Sequence, residues 1–372
     1  MNSTRFARML EARTAGAQML SLMMVVWLLA ACALPAPPPV VSTPAAPAAT
    51  PTPAPEWVAY TTENSGLPSQ QLTRALAIDA QGRKWIGTLE GLVVYDGETW
   101  ILYDTQNSGL PHDAVHAAAL DDQGNAWIGT GGGGLARFDG ETWTVYNSEN
   151  SGLPADHVHA LAFDAQGTLW IGTSEFFEHG QGQGLAAFDG ENWSVYDRDH
   201  SGIPSNDVLA LAIDDEGDKW IGTMSGLARY DGETWTVYDT GDLGLPYGHV
   251  SSVAFDAQGD LWVGAFFGGV AKFDGMSWTA YGTANSGLPH DYVWEVLPIE
   301  GEDGVWVATN GGGLGRYDGE DWNVYRAEDS GLPTDWIAAL EMDDRGNLWI
   351  APQAGGLAVY REGGVDLPGV GS

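Results

Sequence analysis

The chain has 372 residues, with 50 Asp and Glu against 15 Lys and Arg, a formal net charge of -35 and a single Cys. Such a balance repels nucleic-acid phosphates, which binders neutralise with clustered cations, and one Cys excludes an internal disulfide and any cysteine-built zinc or iron–sulfur site. At 44% hydrophobic and 11% aromatic, the sequence can bury a large core and is not a disordered acidic polymer.

The N-terminal segment carries Arg5, Arg8 and Arg13 against Glu11, then an apolar run from Met19 to Cys32 broken only by Ser21. A run of 14 residues is short of the roughly 20 that span a bilayer and suits the core of a cleaved signal peptide. It ends Leu29-Ala30-Ala31-Cys32, which resembles the bacterial lipobox. That resemblance implies lipid transfer to the Cys32 sulfur and removal of residues 1–31. Residues 33–55 are uncharged and hold nine prolines. Extended at ~3.1 Å per residue, they reach roughly 70 Å, so 32–55 reads as a lipidated stalk. The expected location is the cell envelope, facing the periplasm or the exterior, with the membrane as a partner through the anchor.

From Trp57 onward one unit recurs. Its first Trp falls at 85, 127, 170, 220, 262, 306 and 349, with intervals of 42 to 50 residues. Each unit holds four short apolar runs, labelled strands a to d. Turns of the type Asp79-Ala-Gln-Gly82 join a to b, and Asp-Gly pairs such as Asp96-Gly97 join c to d. Four antiparallel strands per ~43 residues make a propeller blade, and no helical period follows the leader. The repeat begins with an orphan strand d, Trp57–Tyr60, and ends after a strand c, Gly356–Tyr360. These fragments complement one another. The predicted fold is all-β: a seven-bladed β-propeller over residues 56–372, closed by its N-terminal strand and preceded by the signal peptide and Pro-rich linker. Fourteen of the 17 Trp are repeat positions and are assigned to packing between blades.

The units Trp85-Ile-Gly-Thr88, Tyr95-Asp-Gly-Glu98 and Asn107-Ser-Gly-Leu-Pro111 resemble the two-component regulator propeller repeat. The resemblance runs over residues 57–360 and implies an extracytoplasmic sensor-like module that binds a ligand or partner. Blades six and seven depart from it with Val307-Ala-Thr309 and Ile350-Ala-Pro352. A weaker similarity to virginiamycin B lyase implies a His base and a magnesium ion on one face, with no catalytic residue transferable to a position here.

Strand alternation puts the a–b and c–d hairpins on one face and the d–a and b–c loops on the other. The hairpin face is monotonous, whereas the opposite face varies between blades, so individual function is expected there. All eight His (112, 116, 157, 159, 179, 200, 249 and 290) map to that face or to the first turn of strand a. Their pairings, His157-x-His159 and His112 with His116, offer imidazoles to a divalent metal, but no recognised ligand spacing appears. Neither a cofactor nor a metal is assigned. Blade three is lengthened by an insertion containing Phe176, Phe177, Glu178 and His179, and Phe266-Phe267 stands in the matching place of blade five. Trp294 and Trp336 lie outside the repeat positions at the starts of strands a. Exposed aromatics beside carboxylates suit sugar stacking or a hydrophobic partner. The candidate ligand residues are therefore Phe176, Phe177, Glu178, His179, Phe266, Phe267, Trp294, Trp336, His157, His159, His249 and His290. A glycan-, peptide- or protein-binding module is the leading expectation, and a metal-dependent lyase or hydrolase with a His base on the same face is the alternative.

Overall fold

Glycines and Asp turns break the apolar runs every four to seven residues, and each run forms one strand. The computed structural model describes residues 56–175 and 182–367. The leader, Cys32, the Pro-rich stretch and the insertion residues Phe176, Phe177, Glu178 and His179 lie outside the described residues. Among the described residues, twenty-eight strands form seven four-stranded antiparallel sheets; six of these take four strands in chain order.

The seventh sheet joins Ile337–Met342, Leu348–Pro352 and Leu357–Tyr360 to Trp57–Tyr60. Closure follows the predicted phase, with Trp57 opposite Tyr360 and Tyr60 opposite Leu357. The seam repeats a contact found in five of the other six blades, where the Gly of Ser-Gly-Leu-Pro or Ser-Gly-Ile-Pro sits on the strand-d Trp of the next sheet. A Cβ on Gly331 would come 2.2 Å from that of Trp57, so only glycine allows the approach.

Between blades, each strand-b Trp is buried and, in six of the seven, its indole N–H donates to the Asp of its own a–b turn. The distances are 3.0 Å for Trp85 and Asp79, 2.9 Å for Trp262 and Asp256, and 2.8 Å for Trp349 and Asp343. Blade six has Ile299 in that place. Some seams add a cation: Lys84 of blade one lies 3.6 Å from Asp343 and 4.6 Å from the Trp349 ring of blade seven. Each buried ring removes 150–250 Å² from water, on the order of 4–6 kcal/mol before entropy is counted. The outer turns are also uniform. The carboxylate of Asp96 accepts from Glu98 and Thr99 amides, and these bonds with the Thr99 hydroxyl hold its pKa down to about 2.

A single helical turn, Thr240–Leu243, replaces the usual d–a link after blade four. Asp239 accepts from the amides of Gly241 and Asp242, Asp242 returns a bond to the Asp239 amide, and Gly244 ends the turn in a left-handed conformation.

Candidate functional site

The seven strands a form the innermost ring, each touching the next around the central channel. In blades two to seven each carries a β-bulge one or two residues from its start, marked by a register break such as that between Val115 and Ala117. The skipped residues are His116, His159, Leu209, Ser251, Trp294 and Ala338. A bulge residue leaves the ladder and is re-aimed; here four of the six line the channel mouth.

Blade one differs. Leu72 pairs with Thr88, and the next pair is Leu76 with Ile86, so its bulge holds an extra residue. Leu72 stands seven positions before the turn residue Asp79, whereas Val115 stands six before Asp121 and Val158 six before Asp164. The added length carries Arg74. Its guanidinium crosses the channel to donate to the carbonyls of Leu209, at 3.3 Å, and Ser251, at 2.5 Å, on blades four and five. It also lies 5.8 Å from the centre of the Trp294 ring. Burial lowers its pKa, against the raising influence of Glu295 and Tyr292.

His116 and His159 meet across the boundary of blades two and three, with ring centres 4.6 Å apart. Burial first, then repulsion from His157, His112 and Arg74, pushes His116 down to about 4. Burial, with His116 and Arg74, lowers His159 as well, so both rings are neutral at physiological pH. Among the described residues, the buried Nδ1 of His116 has no hydrogen-bond partner. Gly131 permits this ring position, because a Cβ there would sit 2.8 Å from the His116 Cε1.

These side chains border a cavity of about 430 Å³, completed by Gln71, Leu72, Thr73, Leu89, Ala338 and Gln353. Among the described residues its lining includes no carboxylate. Below it, a smaller space of about 160 Å³ shares Arg74, His116 and His159 and adds Glu295. Glu295 accepts from the Leu340 amide at 2.6 Å; burial dominates its environment and raises its pKa to about 7. Glu341 is raised to about 8, by burial and then by Glu295. No group of three or more potential metal ligands occurs among the described residues.

The sequence candidates scatter. His159 and Trp294 reach the mouth, Trp294 half-buried and not an exposed loop ring. Phe266 is corrected from an exposed loop aromatic to a core residue: it is 1% exposed in the last position of strand b, 4.9 Å from the Trp294 ring it supports. Phe267 is exposed, with a positive φ of 61°, and packs its edge on Tyr292. Trp336 is 54% exposed, and its carbonyl accepts from the Gln353 amide at the rim. His157 forms a bridge with Gly131, His249 donates to the Met224 carbonyl at 2.6 Å, and His290 accepts from the Tyr292 amide at 2.9 Å. Sequence reasoning missed Arg74, Glu295 and Glu341, and paired the wrong histidines. The signal for Arg74 was present in the seven-residue interval to Asp79.

The family described as two component regulator propeller matches residues 109–132, 152–175 and 244–267. Those three segments carry the two-component regulator propeller repeat. Each matched segment runs from the d–a loop through strands a and b, so the repeat unit includes the channel-lining bulge. Among solved structures, an extracellular domain assigned to the hybrid two component system BT3049 from B. thetaiotaomicron aligns with a TM-score of 0.70 at 20% identity, covering 82% of this chain and 41% of that one. PorZ, a bacterial surface component of the type-IX secretion system of Porphyromonas gingivalis, aligns at 0.61 and 19% identity, covering 80% and 47%. Virginiamycin B lyase from Staphylococcus aureus aligns at 0.64 and 11% identity, covering 82% and 98%. These likenesses show the fold. The chain spans about two fifths of the two-component domain it matches. A comparison with curated proteins finds no match.

Proposed function

We propose that this chain is an extracytoplasmic, sensor-like binding propeller whose ligand enters the channel mouth on the variable face. The observation that carries the reading is the convergence of bulge residues from different blades on one cavity. A repeat fold has no need for unlike residues at equivalent positions, and here Arg74, His116, His159 and Trp294 meet. The two-component domain it resembles is extracellular by its description, which supports the same location. In this reading residues 1–31 are the leader, Cys32 carries the lipid, 32–55 form the stalk and 56–372 the propeller. The blade-three insertion, with Phe176 and Phe177, supplies a second contact for a glycan, peptide or protein.

A thermal-shift screen of soluble glycans, peptides and envelope extracts tests the reading, since a ligand at 100 times its Kd adds about 2.7 kcal/mol. The shift should disappear in Trp294→Ala; a shift retained there moves the site off the mouth. Replacing Phe176 and Phe177 by Ser should weaken the same ligand by more than tenfold, and unchanged affinity removes the insertion from the site. Cys32→Ser should release the protein from membranes, and continued membrane fractionation would refute the anchor.

The neutral pair His116 and His159 favours a second reading, a lyase or hydrolase with an imidazole base. Activity abolished by chelation would select it; binding that survives chelation selects the module.

A further inference from the structure

We infer that the channel mouth is a receptor for a carboxylate on a mainly apolar body, with Arg74 as its anion anchor. The inference rests on the mouth being the binding site and adds the chemical class of what it binds.

Charge is the first argument. In a chain of net charge -35, a cavity whose described lining holds one Arg, two neutral His and no carboxylate is an exception. Most of the other cations near the strand-b Trp rings sit beside an Asp or Glu, as Lys84 does beside Asp343 and Arg229 beside Asp218. Arg74 has no ion-pair partner among the described residues. Glu295, the carboxylate that influences it, is engaged with the Leu340 amide, and its raised pKa leaves it partly protonated near neutrality. A guanidinium in a narrow, desolvated channel lacks a full counter-charge, and an entering anion would supply it.

Geometry is the second. A guanidinium has five N–H donors, and Arg74 commits only two to protein carbonyls. Those two bonds fix the plane of the fork across the channel, so little side-chain freedom remains to be lost on binding. One planar cation matches one carboxylate in a bidentate pair. The extra bulge residue places this group, and no other blade has it.

Shape supplies the rest. Leu72, Leu89, Trp294 and Ala338 give the walls an apolar character, and a cavity of about 430 Å³ suits a small organic acid. Trp294 is held by Phe266 on one side and by Arg74 on the other, so an aryl or alkyl body would meet a supported ring.

The probes are 3-phenylpropionate and its neutral isostere 3-phenylpropanamide, titrated calorimetrically into the full chain at pH 7. The acid should bind at least tenfold more tightly than the amide, and Arg74→Met should abolish that preference, bringing acid and amide to one affinity. Equal affinity for acid and amide overturns the inference, as does a preference that persists in Arg74→Met or the absence of saturation by either compound up to about 10 mM. If Arg74→Met does not fold, the wild-type comparison of acid and amide decides alone. Should the broader screen yield a ligand lost in Trp294→Ala while phenylpropionate fails, the mouth binds but is not a carboxylate receptor. Failure of both takes the binding site with it.

Discussion

The blade seams and the inner ring obey opposite rules. At the seams the same Trp and Asp pair recurs in six blades with donor–acceptor distances of 2.8–3.0 Å. Around the ring, equivalent bulges present Arg74, His116, His159, Leu209, Ser251, Trp294 and Ala338. Uniform contacts let each blade dock on the next without regard to identity, which fixes the fold. The ring is free to differ because its residues have left the ladder. Stability and specificity are thus carried by different positions of one repeat, five to eleven residues apart.

The sharpest way to break this division is to open a seam. A chain beginning at Thr61 loses the strand that completes blade seven and exposes the edge of Leu357–Tyr360. It should lose its cooperative thermal transition or aggregate, as read by calorimetry and gel filtration; a melt like that of the intact propeller would show the seam to be dispensable.

The second test asks whether the ring carries a cost. Glu295 and Glu341 are raised to about 7 and about 8, so the folded state holds their protons more tightly than the unfolded chain. The sign follows: their contribution favours folding at acid pH and is lost as pH rises from the ordinary carboxylate range through 7 to 8. For one such group the swing is on the order of 3 kcal/mol. Glu295→Gln keeps an acceptor for the Leu340 amide and should flatten the fall in denaturation midpoint between pH 5 and 8. An unchanged slope would show that Glu295 does not hold its proton more tightly in the folded state.

A gentler change separates the two rules. Deleting Arg74 restores the six-residue spacing found in blade two, so stability should move by no more than about 1 kcal/mol, measured by urea denaturation. A large loss would make the cross-channel bonds to Leu209 and Ser251 a structural brace. The smallest effect belongs to the hairpin face, where Met276 is 91% exposed at the Asp274-Gly275 turn. Met276→Ser should change stability by less than about 0.5 kcal/mol, and a larger shift would reveal a contact at that face.

Local chemistry made the fold legible. Asp-Gly hairpins, the interval between Trp residues and the phase of the first and last strands are all short-range signals, and together they gave blade number and closure. The mouth was read less well because it is a convergence of residues ~43 positions apart, each unremarkable in its own strand. His116 and His159 lie on neighbouring blades, so adjacency in sequence paired them with His112 and His157 instead. Glu295 and Glu341 stand in strands whose counterparts carry Ala or similar apolar residues, and only the ring shows that they face a common space. Phe266 looked like a loop residue because Phe267 follows it, yet the strand extends one position further than in blade two.

Closure by Trp57–Tyr60 also sets an order of events during biosynthesis. The partner of Trp57, Tyr360, lies 303 residues downstream, so this pairing must wait until nearly the whole propeller has been made. Closing a loop of that length is slow and entropically unfavourable, although the cost rises only with the logarithm of its length. Until then three strands of the last blade have no fourth, and the first strand has no sheet. The emerging propeller therefore passes through a stage in which an unpaired ribbon and an unpaired edge coexist in every copy, and two copies at that stage can exchange ribbons. Crowded synthesis should favour such interlocked dimers, whereas a permuted chain that places the ribbon directly after Tyr360 would complete its last blade locally.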